Sequence, residues 1–247
     1  MEKESEFLFE KHIRCPICET IFGSKVVRTS KLRRQQPDFD LRPRFRDIDT
    51  LKYGVYACPA CGYAAISTSF DRLSKGQIML VKEKICANFN PSGENDPEAY
   101  DYPTAIARYQ QALRCSKEKR AKTSEIAFTC LKISWLYRSM ADEMPEGTKE
   151  ECGAKESIRK KQELFYKEAY LRFQKALTME DFPICGMDTF TMDYLLACLA
   201  CHFEEYGFAS KAVSNILGSQ IADRRMKDKA LDLKQEIIEK IRKSSAQ

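Results

Sequence analysis

Two cysteine pairs near the start of the chain carry its clearest chemistry: Cys15-Pro16-Ile17-Cys18 and Cys58-Pro59-Ala60-Cys61, the second followed by Gly62. Two intervening residues let both sulfurs of a pair reach one ion at about 2.3 Å, so two pairs supply the four ligands of a tetrahedral site. Cys15, Cys18, Cys58 and Cys61 are therefore the predicted ligands of a structural Zn2+. Four protein ligands leave no open position for water or substrate, which argues against catalysis at the ion. A rubredoxin-like iron site uses the same thiolates. A redox dithiol is a third use of such a pair, but neither pair sits in a thioredoxin-like βαβ pattern. Gly62 suits the left-handed backbone of a metal-binding turn; the first pair has Glu19 at that place, so its turn is predicted to be less ideal. Thirty-nine residues separate Cys18 from Cys58, against about 15–20 in compact four-cysteine sites, so the interval is predicted to hold a sizeable insertion, built as a hairpin. His12 is an alternative ligand that could replace one cysteine, but it is expected on the surface just before the site.

The segments that must hold these thiols are β-prone. Tyr53-Gly54-Val55-Tyr56-Ala57 leads into the second pair and Tyr63-Ala64-Ala65-Ile66 leads out, as in a zinc ribbon. Such a small module buries little core, and metal binding then contributes about 10–16 kcal/mol to its folding. From about residue 71 the apolar spacing turns helical, with helices predicted over 73–88, 102–118, 121–142, 152–179, 188–206, 208–217 and 223–243. Turn signals break the chain at Asn90-Pro91-Ser92-Gly93-Glu94-Asn95-Asp96-Pro97, at Met144-Pro145-Glu146-Gly147 and at Asp181-Phe182-Pro183. The expectation is thus a mainly α chain: a zinc-ribbon-like β module over 1–70 with a basic insertion, and a tetratricopeptide-like helical domain over 71–247.

The helical part carries a recurrent spacing. Ala105, Tyr109 and Ala112 are repeated by Ala169, Phe173 and Ala176, and more weakly by Ala212, Ile216 and Ser219. Small residues on one helical face admit a neighbouring helix closely. The pattern resembles the second helix of a tetratricopeptide repeat. Leu196, Leu199, Ala200, Phe203 and Gly207 stand where that repeat's first helix has its packing residues and turn, and Trp135 and Tyr137 lie in a similar segment. The copies are 64 and 43 residues apart, unlike the regular period of about 34. Ordinary helix packing through alanines is the competing account.

Of the other thiols, Cys198-Leu199-Ala200-Cys201-His202 spells a haem-attachment string. Its mid-helix position and the polar, acidic start Met1-Glu2-Lys3-Glu4-Ser5-Glu6, unlike an export signal, argue against haem. Cys86, Cys115, Cys130, Cys152 and Cys185 lack ligand spacing and read mostly as small buried hydrophobes. With 43% hydrophobic and 31% charged residues the chain has a globular composition. No apolar run approaches the about 20 residues of a membrane span. A reducing cytoplasm is the expected setting.

The net charge of +5 is modest, but residues 25–46 alone carry +6, eight cations against Asp38 and Asp40, with Phe39 and Phe45 interleaved. Arg28, Lys31, Arg33, Arg34, Arg42, Arg44 and Arg46 are the candidate contacts to nucleic-acid phosphates, RNA in particular. The alternative is a solvated hairpin whose cations offset the metal site and pair with Glu19, Asp47 and Asp49.

Cys15-Pro16-Ile17-Cys18, Ser30-Lys31-Leu32-Arg33 and the run from Tyr53 through Cys58-Pro59-Ala60-Cys61-Gly62-Tyr63-Ala64-Ala65 resemble an uncharacterised bacterial family. Its members open with paired cysteine knuckles and continue into tetratricopeptide-like helices. The resemblance spans about residues 10–217 and implies the two-part architecture and a cytoplasmic bacterial setting. The family has no established activity, so it implies no catalytic residue. The sequence contains no phosphate loop, nucleophile system or motif-placed carboxylate pair. The expected function is therefore a non-enzymatic adaptor with a protein or peptide partner, with nucleic-acid binding through the insertion as the alternative.

Overall fold

The computed structural model describes residues 4–91, 96–145 and 147–244, with Lys149 described by its backbone alone. Residues 1–3 and 92–95, and Glu146 of the second predicted break, lie outside the described residues.

Two small antiparallel hairpins form the N-terminal head. The first pairs β1 (Leu8–Arg14) with β2 (Ile21–Val27), Arg14 opposite Ile21 at the closed end. The second pairs β3 (Val55–Ala57) with β4 (Ala64–Ile66), Ala57 opposite Ala64. Each hairpin closes around one cysteine pair. Seven helices follow: α1 (Lys75–Lys84), α2 (Tyr102–Glu118), α3 (Thr123–Glu143), α4 (Lys149–Leu177), α5 (Thr189–His202), α6 (Tyr206–Gly218) and α7 (Arg224–Ser244). The chain is thus mainly helical, with a small β head bearing a cysteine cluster. Among the described residues, no helix is long and apolar enough to cross a membrane.

Local chemistry explains the helix boundaries. Ser74 caps α1 and Gln77 returns a bond to the Ser74 amide, a capping box. Asp101 and Asp188 cap α2 and α5 by accepting from the amides of Thr104 and Thr191. The first predicted helix is shorter than expected, because the backbone tightens into a 3-10 turn at Cys86–Asn88. The predicted helix over 188–206 also ends early, at His202. Glu204 takes the left-handed conformation (φ 62°) and the Glu205 amide returns to the Ala200 carbonyl, which reverses the chain without glycine. Gly207, the expected turn residue, lies inside the first turn of α6 instead.

Consecutive helices pack on each other: α2 on α3, α3 on α4, α5 on α6 and α6 on α7. The alanine triplets sit at these contacts. Ala105, Tyr109, Ala112, Ala169, Phe173 and Ala176 are fully buried, as are Ala212 and Ile216, while Ser219 falls just past the end of α6. One continuous apolar cluster runs from Cys15, Tyr63 and Phe70 in the head through Tyr109 and Leu136 to Leu199 and Ile237.

Between β2 and β3 the chain runs as a strap. It makes one antiparallel bridge, Arg34 to Phe45, and the residues between these two reach across the helices. Asp40 is completely buried, although it is an aspartate in a cationic stretch. Arg138 clamps it with two nitrogens (2.7 and 3.1 Å), and Trp135 Nε1 and Tyr166 Oη donate to it at 2.8 and 2.9 Å. Burial opposes the charge, but these donors outweigh it and hold the carboxyl below the ordinary carboxylate range. Beside it the Cys198 thiol donates to the Phe39 carbonyl at 3.4 Å, so the strap touches α3, α4 and α5.

Asp40→Asn removes the bidentate counter-charge of the Arg138 guanidinium and leaves it only Asp38 at 3.4 Å, and breaking a buried pair of this kind costs up to about 3–5 kcal/mol. Urea unfolding at pH 7 measures this against Arg46→Gln, an exposed change expected to be neutral. Because the folded-state pKa of Asp40 is depressed, its contribution is present above the unfolded value of about 4 and is lost as pH falls through the folded value. The gap between wild type and Asp40→Asn therefore closes in acid.

Candidate metal centre

The two hairpin tips present matching backbone geometry. The Cys15 amide donates to the Thr20 carbonyl at 2.9 Å and the Cys58 amide to the Tyr63 carbonyl at 2.8 Å. Glu19 and Gly62 each return an amide to the first cysteine's carbonyl at 3.0 Å. Both adopt left-handed backbone, φ 63° and 72°. The two turns are thus alike, and the expected imperfection at Glu19 is the strain of a side-chain-bearing residue in a conformation that favours glycine. Its carboxylate reaches Arg14 at 2.8 Å, an exposed pair of little energetic weight.

Facing each other, the tips bring four sulfurs together. Cys15 Sγ lies 3.6 Å from Cys61 Sγ, Cys18 Sγ lies 3.6 Å from Cys58 Sγ, and all four fall within 4.8 Å of one another. A tetrahedron of 2.3 Å metal–sulfur bonds has edges of about 3.8 Å, so the cluster can hold one metal ion with a small contraction. Hydrogen bonds from Cys58 and Cys61 pull Cys15 down to about 4, and the same contact pushes Cys61 up. The Ile17 amide, inside the first turn, points at Cys15 Sγ at 3.5 Å. Cys15, Cys58 and Cys61 are buried, while Cys18 faces solvent. His12 is exposed on β1, apart from the cluster.

Helix α2 fixes the second tip. Gln111 Nε2 donates to the Gly62 carbonyl at 2.7 Å, and the Cys115 sulfur accepts from the Ala64 amide at 3.4 Å. A Cβ on Gly62 would fall within the ring of Phe89, so glycine here serves both the turn and the close approach of that ring. Cys115 was not singled out by spacing; its role comes from meeting a strand amide across the sheet–helix contact. Burial pushes Cys115, Cys130 and Cys185 up to about 11, about 12 and about 11, which makes them poor nucleophiles. Cys198 and Cys201 lie inside the helical core on α5, and His202 meets Glu163 at 2.9 Å.

The basic insertion divides. Arg42 is a correction: its side chain is 2% exposed, bonded to Ser139 and held near Asp38 and Asp49 at 3.5 and 3.8 Å, so it cannot meet a phosphate. Arg28 donates to the Leu8 carbonyl and lies over Phe9. The Arg34–Phe45 bridge, with Arg46 amide to Arg33 carbonyl (3.1 Å) and Gln35 amide to Arg44 carbonyl (3.0 Å), sets Arg33 opposite Arg46 and Gln35 opposite Arg44 on one face. Asp38 lies 3.8 Å from Arg44 and Asp47 4.0 Å from Arg46, both beyond hydrogen-bonding range. Exposed Lys31, Arg33 and Arg34 have no carboxylate partner among the described residues. Gln35, Arg44 and Arg46 also line a cavity of about 440 Å³ shared with Lys52, Tyr102 and Glu143.

The molecule is thus a mainly helical protein with a four-thiol centre at the meeting point of two hairpins. Residues 8–237 match a family described as an uncharacterized protein conserved in bacteria (DUF2225), and the chain belongs to that family. The matched span contains both cysteine pairs and extends well into α7. No curated protein and no solved structure matches the chain.

Gly62→Ala meets both the positive φ and the Phe89 ring, and is expected to lower metal affinity and melting temperature together. Glu19→Gly relieves left-handed strain of about 1–2 kcal/mol against a glycine entropy cost of about 0.5–1, so it is expected to stabilise the metal-loaded protein slightly. Thermal melts of the two variants with metal bound check the opposite signs.

Proposed function

We propose that the chain is a non-enzymatic cytoplasmic adaptor whose four cysteines hold one structural zinc ion. The observation that carries this is the closed ligand set: four sulfurs from two hairpin tips fill a tetrahedral site, and α2 grips the second tip by its backbone. Zinc so placed would tie the head to the helices and offer no open coordination position. A cytoplasmic setting is supported by eleven cysteines of which none is paired in a disulfide.

Partner binding is assigned to the helical part. The paired helices and buried alanine triplets support tetratricopeptide-like hairpins, a kind of fold that commonly offers a concave groove for recognition. The strap covers part of α3, α4 and α5, although Leu164 and Leu171 of α4 stay exposed. Helix α7 buries Ala230, Leu233 and Ile237 yet also exposes Leu231 (48%) and Ile238 (39%) seven residues apart. An outward apolar stripe on a helix that has already packed its inner face suits a protein partner.

A second reading, nucleic-acid binding, is favoured by the face that sets Arg33, Arg44 and Arg46 together with weak or no carboxylate pairing. Several phosphate contacts there would make affinity fall steeply with salt.

Elemental analysis is expected to give one zinc per chain and colourless protein; a coloured, iron-bearing protein overturns the zinc assignment. Stripping the metal is expected to cost at least about 5 kcal/mol of stability. A stripped head that keeps its amide protection over 8–27 and 55–66 would refute the structural role. Affinity purification after nuclease treatment separates the two readings. Leu231→Glu with Ile238→Glu abolishes capture if the adaptor reading holds, whereas Arg33, Arg44 and Arg46 to Gln abolishes it, with a salt slope, if nucleic acid is the ligand.

A further inference from the structure

The cavity of about 440 Å³ lies where the strap meets the first helices, with strap residues 42–49 on one side and Lys52, Tyr102 and Glu143 on the other. Small-molecule sites span about 300–1,000 Å³ and favour such seams between structural units. Its polar groups fall into two sets. The first set is satisfied within the protein. Glu4 holds Lys52 Nζ at 2.6 Å and accepts from Tyr53 Oη at 2.9 Å. Asp49 accepts from the Leu51 amide at 3.0 Å and from Ser139 Oγ at 2.7 Å, and Arg42 is buried against the same serine.

The second set is open to a ligand. The Arg44 and Arg46 side chains are 42% and 64% exposed, and their carboxylate neighbours come no closer than 3.8 and 4.0 Å. Gln35 stands exposed opposite Arg44. On the far wall Glu143 ends α3; its Oε1 accepts from Tyr102 Oη at 2.9 Å, and its Oε2 has no partner among the described residues. Arg33 shares the strap face but does not line the cavity. Two guanidiniums carry more donors than the two oxygens of a carboxylate can take, whereas a phosphate monoester offers three oxygens and up to two charges. A carboxylate oxygen without a donor suits a sugar hydroxyl, as at the ribose of dinucleotide sites.

We propose that this cavity binds the 5′-phosphorylated ribose of a ribonucleotide, its phosphate on Arg44 and Arg46 and its 2′-hydroxyl donating to Glu143. The proposal rests on the nucleic-acid reading above and deepens it, because the arginine face and the cavity share Arg44 and Arg46. A free nucleotide and the 5′ end of an RNA offer the same chemistry. No lining side chain is assigned to the base, so the four ribonucleotides bind alike.

Calorimetric titration of the full chain compares AMP, 2′-deoxy-AMP and adenosine, and a short single-stranded RNA carrying either a 5′-phosphate or a 5′-hydroxyl. AMP is expected to bind at least about tenfold more tightly than adenosine and several-fold more tightly than 2′-deoxy-AMP. Arg44→Gln with Arg46→Gln removes the preference for phosphate. Glu143→Ala weakens AMP to the level of 2′-deoxy-AMP and leaves 2′-deoxy-AMP itself unchanged, a pattern that general damage to the fold would not give. Arg33→Gln leaves AMP binding intact. Tighter binding of the 5′-phosphorylated RNA than of AMP marks the RNA end as the source, and equal binding marks the free nucleotide. RNA that binds whatever its 5′ end, with AMP unbound, overturns the proposal and spares the nucleic-acid reading. Unchanged AMP binding by Glu143→Ala also overturns it, and failure of every probe overturns both.

Discussion

The convergence of four sulfurs from two hairpin tips is the constraint on which the head depends. Each hairpin is too short to be stable by itself, since three or seven paired residues bury one thin face. What makes them a unit is that their tips share the ligands of one site while α2 holds the second tip by the Gly62 carbonyl and the Ala64 amide. The knuckle backbone, the surrounding aromatic residues and the first helices are arranged around that meeting point. Tyr63 shows how tightly: it is fully buried, its ring lies tilted against Phe70 with centroids 5.0 Å apart, and it donates to the Phe70 carbonyl at 3.0 Å.

A second, independent fastening lies at the strap. There the cohesive element is ionic rather than metal-centred: a buried aspartate with a bidentate arginine, an indole and a phenol as partners. Buried charges of this kind gain little over apolar packing but are very costly to leave half-paired, so they favour one arrangement over near alternatives. The same segment presents arginines to solvent on its other side. One strap thus combines an anchoring end, Asp40 and Arg42, with an accessible end, Arg33, Arg44 and Arg46.

How much of this was legible depended on distance along the chain. The cysteine pairs, their flanking strands and the helical periodicity are local patterns, and each appears where its residues predict. Gly62 was readable as a left-handed position; Glu19 was not, because only the matching hydrogen bond of the finished turn forces a glutamate into that conformation. The early end of α5 was hidden because Gly207 offered a stronger turn signal than Glu204. Asp40 and Arg42 were misleading for a different reason. Their partners lie on α3 and α4, and no local pattern distinguishes a buried arginine in a basic run from its solvated neighbours.

The strap also imposes a chronology on synthesis. Cys15 and Cys61 are 46 residues apart, so the head has all its ligands soon after the second hairpin leaves the ribosome. Asp40 must wait for Arg138, 98 residues later, and for Tyr166, 126 residues later. Throughout that interval the four thiols of a nascent chain can meet while the strap trails unfastened, its acid hydrated and its arginines unshielded. Assembly of the N-terminal third is therefore completed by residues made long after it, and a truncated product ending before α4 would carry a paired head with a loose strap.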